Sequence, residues 1–452
     1  MQKKINLLFL SFILSQIVIY NNAYSQDITD RLALKDCINY ALKHSHDVKI
    51  ADYEYESAEN RIKEIRGTGL PQINAFATFD NNLKLPTQVL PGEILGEPGT
   101  TLPVQFGTTY SSTGGIEANQ LIFDQSYFVG LQATKASREY YALNQLKTDE
   151  DVIYHVASNY YNALYLQEQL NIINDNLKKL DQLLSIMKVR VENDLVKSVD
   201  YNRVKVNKTN LETQRKSLIT SFESQVSRLK YLMGMPIEEN ISLDNTAITT
   251  FNEKEVLKNN NLEIEERIEI QILNKQLELN QLNQKNIQSG YYPSLMLYGR
   301  YYFQGLRNSF GDLYSKKWFD AAVIGLKLNI PIFDGFQKKY KVAQSKIDQS
   351  ILTENIYKTA SYISLEQQTA SSQLMNSLES LEAQEENMAL AEKVYNQVNS
   401  LYKEGVSQLS DLLDAETSLR EARIGYNTEV IKIKQAELDL IKAKGHLNSI
   451  AE

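Results

Sequence analysis

The sequence predicts a mainly helical chain with membrane-type β-strands, built from one long helical hairpin used twice. Three observations carry this. The first is an uninterrupted helical pattern from Gln337 to Lys403, 67 residues without proline. At the rise of an α-helix that is a rod of roughly 100 Å, far beyond ordinary globular helices and in the range of coiled coils or helical tubes. The second is an internal duplication: Leu121-Ile122-Phe123-Asp124 recurs as Pro331-Ile332-Phe333-Asp334, and Asp200 recurs as Asp411, at offsets of 210 and 211 residues. A shared tetrapeptide alone is weak. The same order of strand, junction, long helix, turn and long helix at a nearly constant offset is not. The third is alternation over Ile324, Leu326, Leu328 and Ile330 against Val323, Gly325, Lys327 and Asn329, the period of a strand with one apolar face.

Residues 1–25 read as a secretory signal peptide, with Lys3 and Lys4 before an apolar run and Ala23-Tyr24-Ser25 before a cut at Gln26. The first repeat is set at 26–236. It holds a helical pattern from Leu32 to Arg66, strands at 72–80 and 108–123, and a hairpin over 125–233 that turns at Asn193-Asp194. An inter-repeat segment, 237–261, is expected at mid-height. The second repeat, 262–447, has a helix, strands at 294–303 and 318–330, and a hairpin over 336–447 turning at Glu404-Gly405-Val406; a tail follows at 448–452. Four of the eight prolines (Pro86, Pro91, Pro98, Pro103) fall in the loop between the first two strands, and the others fall at element boundaries. The long helices are left proline-free. On the returning arm Leu412, Ala415, Leu419, Ala422 and Tyr426 recur every three or four residues, a seam suited to small-angle packing.

The strands are about as long as tilted bilayer-spanning strands, and Tyr291, Tyr292, Tyr298, Tyr301, Tyr302, Trp318 and Phe319 crowd the second pair like an interfacial girdle. A small soluble β-domain capping a coiled coil is the alternative on pattern alone. Four strands cannot close a barrel, and a sheet edge facing lipid leaves its backbone unpaired. Subunits must therefore share one. Two chains give eight strands, whose lumen side chains fill; three give twelve, with room for a pore. The loops within each strand pair, 81–107 and 304–317, then face away from the helices, outside the cell.

Composition excludes much else. The net charge is −8, becoming −10 once Lys3 and Lys4 are removed, which argues against nucleic acid as a partner. Cys37 is the single cysteine, so no internal disulfide is possible, and its pattern is that of a buried small residue. Four scattered histidines give no metal site; His44 and His46 do not share a helix face. No nucleophile–base set or phosphate loop is present. The chain is read as no enzyme, with no cofactor.

The signal peptide, the duplicated unit, "PIFDGF" before a 67-residue helix and "GVSQLSDLLDAETSL" after it together resemble the TolC-like outer-membrane efflux proteins, over almost the whole mature chain. The resemblance implies a homotrimer with a shared 12-stranded barrel in outer-membrane lipid and a 12-helix periplasmic tube. That tube would be closed at a tip where a periplasmic adaptor and an inner-membrane pump dock. It places Gly405, and Asp194 where the first repeat has no glycine, at the adaptor-contact tip turns. Asp411 and Asp414 would ring the closed tip, and Tyr402 with Asp200 would tie the two hairpins of the gate. An arginine that assists this tie is Ser407 here. Pro331, Phe333, Asp334 and Gly335, and in the first repeat Phe123 and Asp124, would turn strand into helix. Helix capping is the competing account of Asp200 and Asp411, since a carboxylate in a first helical turn gains about 0.3–1 kcal/mol from the dipole. The competing function is a structural trimeric coiled-coil spacer or adhesin.

Overall fold

The computed structural model describes residues 31–91, 96, 98–245 and 264–451. The signal peptide and most of the inter-repeat segment lie outside the described residues. The first repeat begins with a two-residue strand β1 (Arg31–Leu32), then α1 (Leu34–His44) and α2 (His46–Gly67). The strand pair β2 (Gln72–Asn81) and β5 (Tyr110–Phe123) flanks a hairpin of β3 (Thr87–Pro91) and β4 (Thr101–Gln105). The rods α3 (Gln125–Glu192) and α4 (Ser198–Met233) follow, then the short β6 (Ser242–Leu243). The second repeat has α5 (Ile268–Ser289), β7 (Ser294–Arg307), a single turn α6 (Asp312–Ser315), β8 (Phe319–Asn329), and the rods α7 (Gln337–Lys403) and α8 (Leu409–Ala443).

The helical pattern from Leu32 to Arg66 is two helices, broken at Ser45. Ser45 is extended at φ −52°, ψ 141°, and its hydroxyl accepts from the Asp47 amide at 3.3 Å. The break has a tertiary cause. Gly234 passes at φ +70° so close to His44 that a Cβ there would sit 2.3 Å from the His44 carbonyl oxygen. The proline-rich loop is also more ordered than expected, since β3 and β4 pair antiparallel from Thr87↔Gln105 to Pro91↔Thr101. Prolines are tolerated there because a two-stranded ribbon is all edge. In the second repeat β7 runs past 303 to Arg307, and the returning rod stops at Ala443, short of 447, with Gly445 at φ +75° ending it.

Each rod is shared by two shorter helices. α2 and α5 lie along the sheet-side part of α3 and α7, while α4 and α8 return beside the remote part. A cut at either level therefore crosses four helices. Polar pairs help hold α5 in place: Gln276 to Tyr140 of α3 at 3.1 Å, Ser345 of α7 to Asn280 at 2.9 Å, and Gln349 of α7 to Gln284 at 2.7 Å.

The largest core sits at mid-height. Cys37, Ile38 and Ala41 of α1 pack with Val156, Tyr160 and Leu164 of α3, Met233, Leu243 and Leu447. β1 and β6 pair in parallel beside it, and the Tyr160 hydroxyl lies 2.9 Å from the Leu32 carbonyl and 2.8 Å from that of Asp244. Burial pushes the Cys37 thiol up to about 12, so it stays protonated and unreactive.

The four long strands form one antiparallel sheet in the order β2-β5-β7-β8, so the repeats meet at β5–β7. Register puts Ile73, Ile116, Tyr301, Ile324, Leu326 and Leu328 on one face, all exposed, with Ile324 at 79%. Asn74, Glu117, Asn119, Arg300 and Lys327 share the other. There the Arg300 guanidinium donates to Glu117 at 2.9 and 3.2 Å and lies 4.7 Å from the Phe76 ring centroid. Among the described residues both edge strands, β2 and β8, have one side unpaired.

Candidate functional site

The two hairpin turns are built alike. α3 ends so that the Leu195 amide donates to the Arg190 carbonyl at 2.8 Å, and α7 so that the Val406 amide donates to Leu401 at 2.9 Å. Both bonds reach back five residues, the closure that needs a left-handed residue just past the helix. Gly405 supplies it at φ +80° and Asp194 at φ +56°. Asp thus holds the turn that Gly holds in the other repeat, as a short polar side chain can. Asp194→Gly should leave the thermal unfolding midpoint unchanged or higher. Asp194→Val should lower stability by about 1–2 kcal/mol, measured by circular dichroism on the detergent-solubilised protein. Leu195 and Val406, next in the chain, are 74% and 72% exposed.

Five residues on, the repeats diverge. Asp200 and Asp411 each hold the third position of the returning helix. Asp411 Oδ2 accepts from the Gln408 amide and the Ser407 hydroxyl, both at 3.1 Å. That is a capping arrangement, so the cap accounts for how Asp411 is held. Its carboxylate still lies on an exposed face with Asp414 one turn further on. Asp200 makes no such bond and faces Tyr402 of the other hairpin, whose phenol is pushed up by burial and by Asp200, with Arg190 opposing. No hydrogen bond joins Asp200 to Tyr402.

Tyr402 packs on a core shared by both hairpins: Leu180 and Met187 of α3, Val204 and Leu211 of α4, Leu409 and Leu413 of α8. Ser407, where the resemblance implies an arginine, donates its hydroxyl to the Asp411 carboxylate instead. The cation beside Tyr402 is Arg190, from the first hairpin. Sequence reasoning missed Arg190 and its neighbour Lys179, because their place at the seam depends on how the hairpins pack. It also passed over Glu416, although a carboxylate among Leu412, Leu413, Ala415 and Leu419 breaks the apolar seam of α8.

The junction residues sit at the opposite end of the rods, about 100 Å away. Asp124 caps α3, accepting from the Ser126 amide at 2.7 Å. The second junction uses two left-handed residues in a row, Gly335 and Phe336, both at φ +63°. Asp334 then accepts from the Lys338 amide at 3.1 Å, and this bond, reinforced by the Lys338 ammonium, holds its carboxyl below the usual range. Phe333, 75% exposed, meets the Phe336 ring edge-on at 5.4 Å. These residues shape the bend. Among the described residues no group of three or more His, Cys, Asp or Glu is placed to hold a metal, and no helix is long and apolar enough to cross a membrane.

A sheet with two open edges and one apolar face stands on paired rods that end in narrow turns, the fold of a long helical scaffold with a small antiparallel sheet at one end. Residues 261–446, most of the second repeat, match the family model described as outer membrane efflux protein. Over that stretch the chain is similar to the outer membrane efflux protein family. Its fold is shared with the outer membrane protein VceC of Vibrio cholerae (16% identity, 91% of this chain and 96% of that one, TM-score 0.71). It is shared also with the CmeC outer membrane channel of Campylobacter jejuni (18%, 91% and 85%, 0.72) and the open-state MtrE outer membrane channel of Neisseria gonorrhoeae (18%, 91% and 88%, 0.71). No curated protein matches the chain in sequence.

Proposed function

We infer that the chain, an outer-membrane exit duct of an efflux assembly, closes its periplasmic end with Asp411, Asp414, Asp200 and Tyr402. The observation that carries the duct is the sheet. Its neighbouring strands alternate in direction, so the free edge of β8 on one chain meets β2 of the next antiparallel. Every edge is then paired, as lipid requires. The apolar face with Ile324 and Leu326 turns to the bilayer, and the face with Glu117, Arg300 and Lys327 turns to the lumen. Three chains give twelve strands and, at each level of the tube, twelve helices. The repeats 26–236 and 262–447 each supply two strands and one hairpin.

At the tip, three copies of Asp411 and Asp414 bring up to six carboxylates toward the axis. Capping orients Asp411 without consuming both its oxygens. Tyr402 against Asp200 and Arg190 ties the hairpins beside that ring. The duct does no chemistry: a periplasmic adaptor, seated on the exposed Leu195 and Val406 turns, and an inner-membrane pump deliver cargo and energy. The test is reconstitution of the purified protein in planar bilayers. Native mass measurement should show three chains, and lanthanum added on the helical side should block conductance. Asp411→Ala with Asp414→Ala should abolish that block, and Tyr402→Phe should raise the open fraction with the block intact. A stable, lipid-inserted monomer refutes the duct. Unchanged block in the double variant leaves Asp411 a cap only.

A further inference from the structure

A buried carboxyl lies in the seam between the hairpins, just above the tip, apart from the acidic face of Asp411 and Asp414. Glu416 is 7% exposed, between buried Leu412, Leu413, Ala415 and Leu419 of α8. Its Oε1 is sealed from solvent and has no hydrogen-bond partner. A cleft of about 160 Å³ runs beside it, lined by Lys179 and Arg190 from the first hairpin and by Tyr395, Tyr402 and Glu416 from the second. Lys179 reaches across to set its ammonium 4.9 Å from the centroid of the Tyr395 ring. One turn along α3, the buried amide of Asn176 also has an Nδ2 without a partner.

A buried polar atom without a partner is expensive when neutral and far more so when charged. This seam therefore favours Glu416 as the neutral acid over the ion. Burial raises its carboxyl above the usual carboxylate range, with Arg420 and Lys179 opposing the shift. Burial likewise raises the Tyr395 phenol, helped by Glu416.

We propose that Glu416, positioned by Lys179 and Tyr395, is a proton-operated catch: the seam between the hairpins stays shut on the neutral carboxyl and parts when that carboxyl ionises. The catch rests on the reading of the tip as a gate. Parting the hairpins hydrates Glu416 and returns its affinity for protons to the ordinary carboxylate value, about 4.3. The closed seam binds the proton more tightly. Its advantage is full below that ordinary value and is lost as pH rises through the raised closed-state value, so opening is favoured with rising pH by up to about tenfold per unit per chain. The other charged or titratable groups of the seam are Lys179 and Arg190 on α3, Tyr395, Tyr402 and Lys403 on α7, Arg420 and Arg423 on α8, and Asp200 on α4, which acts on Tyr402. Arg420 and Lys179 together set the working pH, because their charges ease ionisation of Glu416 inside the seam.

Two readouts on the full-length trimer test this. In planar bilayers, open probability should rise as the helical-side pH goes from about 4.5 to about 8. Glu416→Gln, which keeps the shape and cannot ionise, should stay closed and flat across that range. Lys179→Met should move the rise upward by about half a unit to one unit. In detergent, spin labels at Ile186→Cys and Leu401→Cys, one on each hairpin, should move apart over the same pH window in the otherwise unaltered chain and stay close with Glu416→Gln. Distances and openings that ignore pH, or that follow it equally in Glu416→Gln, overturn the catch. Hairpins that part with pH in a protein that never conducts overturn the duct and keep the catch.

Discussion

Tyr160→Ala should unfold the equator of this molecule and leave no assembled trimer to isolate. Tyr160 is among the largest fully buried side chains of the chain. Its ring fills the space where α1, α3 and the ends of both repeats meet. Truncating a buried aromatic ring costs about 3–5 kcal/mol, against a total stability of about 5–15 kcal/mol for a typical domain. The loss is compounded because the hydroxyl lies within hydrogen-bond distance of the Leu32 and Asp244 carbonyls, next to the β1–β6 pair. Tyr160→Phe separates the two contributions: it keeps the ring and removes the donor, and should cost about 1–3 kcal/mol. Thermal unfolding followed by circular dichroism, with native gels for the trimer, reads both. Equal losses for Phe and Ala would assign the whole effect to the hydroxyl and none to the packing.

What was legible in the sequence, and what was not, divides along the same physical line. The rods α3 and α7 were plain because helix formation over so many residues needs an unbroken absence of proline, which is a local property. The alternation from Val323 to Ile330 was plain because the sheet is covered differently on its two faces. The break at Ser45 was not, since "LKHSHDV" carries no proline or glycine and the cause, Gly234 against the His44 carbonyl, lies far along the chain. The order β2-β5-β7-β8 was equally hidden, because nothing local says that the last strand of one repeat pairs with the first of the next. At the tip, the left-handed turns could be placed from Gly405 and Asp194, and capping by Asp411 stood as an open alternative that its bonds to Gln408 and Ser407 now support. Glu416 interrupts the apolar run of α8 in the sequence, but its burial was not legible, because a carboxylate on a long helix ordinarily faces water and only the neighbouring hairpin takes the water away. The abundant tyrosines show one use at such seams. Tyr154 donates to Asp439 at 2.7 Å and Tyr165 meets Thr428 at 3.3 Å, each joining α3 to α8. These rings fill interhelical space and still find a polar partner for the hydroxyl.

Gly115→Val should sever the sheet where the two repeats join, with the helices left folded. Gly115 lies opposite Tyr302 in the β5–β7 pair and opposite Phe76 in the β2–β5 pair. A Cβ at this position would stand 2.4 Å from the Tyr301 carbonyl oxygen, 2.6 Å from the Tyr302 Cβ and 2.7 Å from the Tyr302 Cα. Two of those three atoms are backbone of the neighbouring strand, so no change of rotamer relieves the clash, and the strands must separate. Aromatic side chains beside a strand glycine normally cover the surface it leaves bare, and here the Phe76 ring is held under the Arg300 guanidinium on that face. Pushing β7 away from β5 would also pull Arg300 off Glu117. Because the sheet is one layer that closes only through its edges, a break at its centre is as damaging as one at an edge: the four strands of each chain would no longer present β2 and β8 to the neighbours together. The expected result is a protein with unchanged helical circular dichroism and a monomeric native mass. It should show no bilayer conductance and no retention in washed outer membranes. Gly114→Ala is the control, since a Cβ there meets only the Phe76 carbonyl oxygen at 3.8 Å, and it should assemble and conduct as before. A trimeric, conducting Gly115→Val protein would mean that the β5–β7 join does not hold the barrel together.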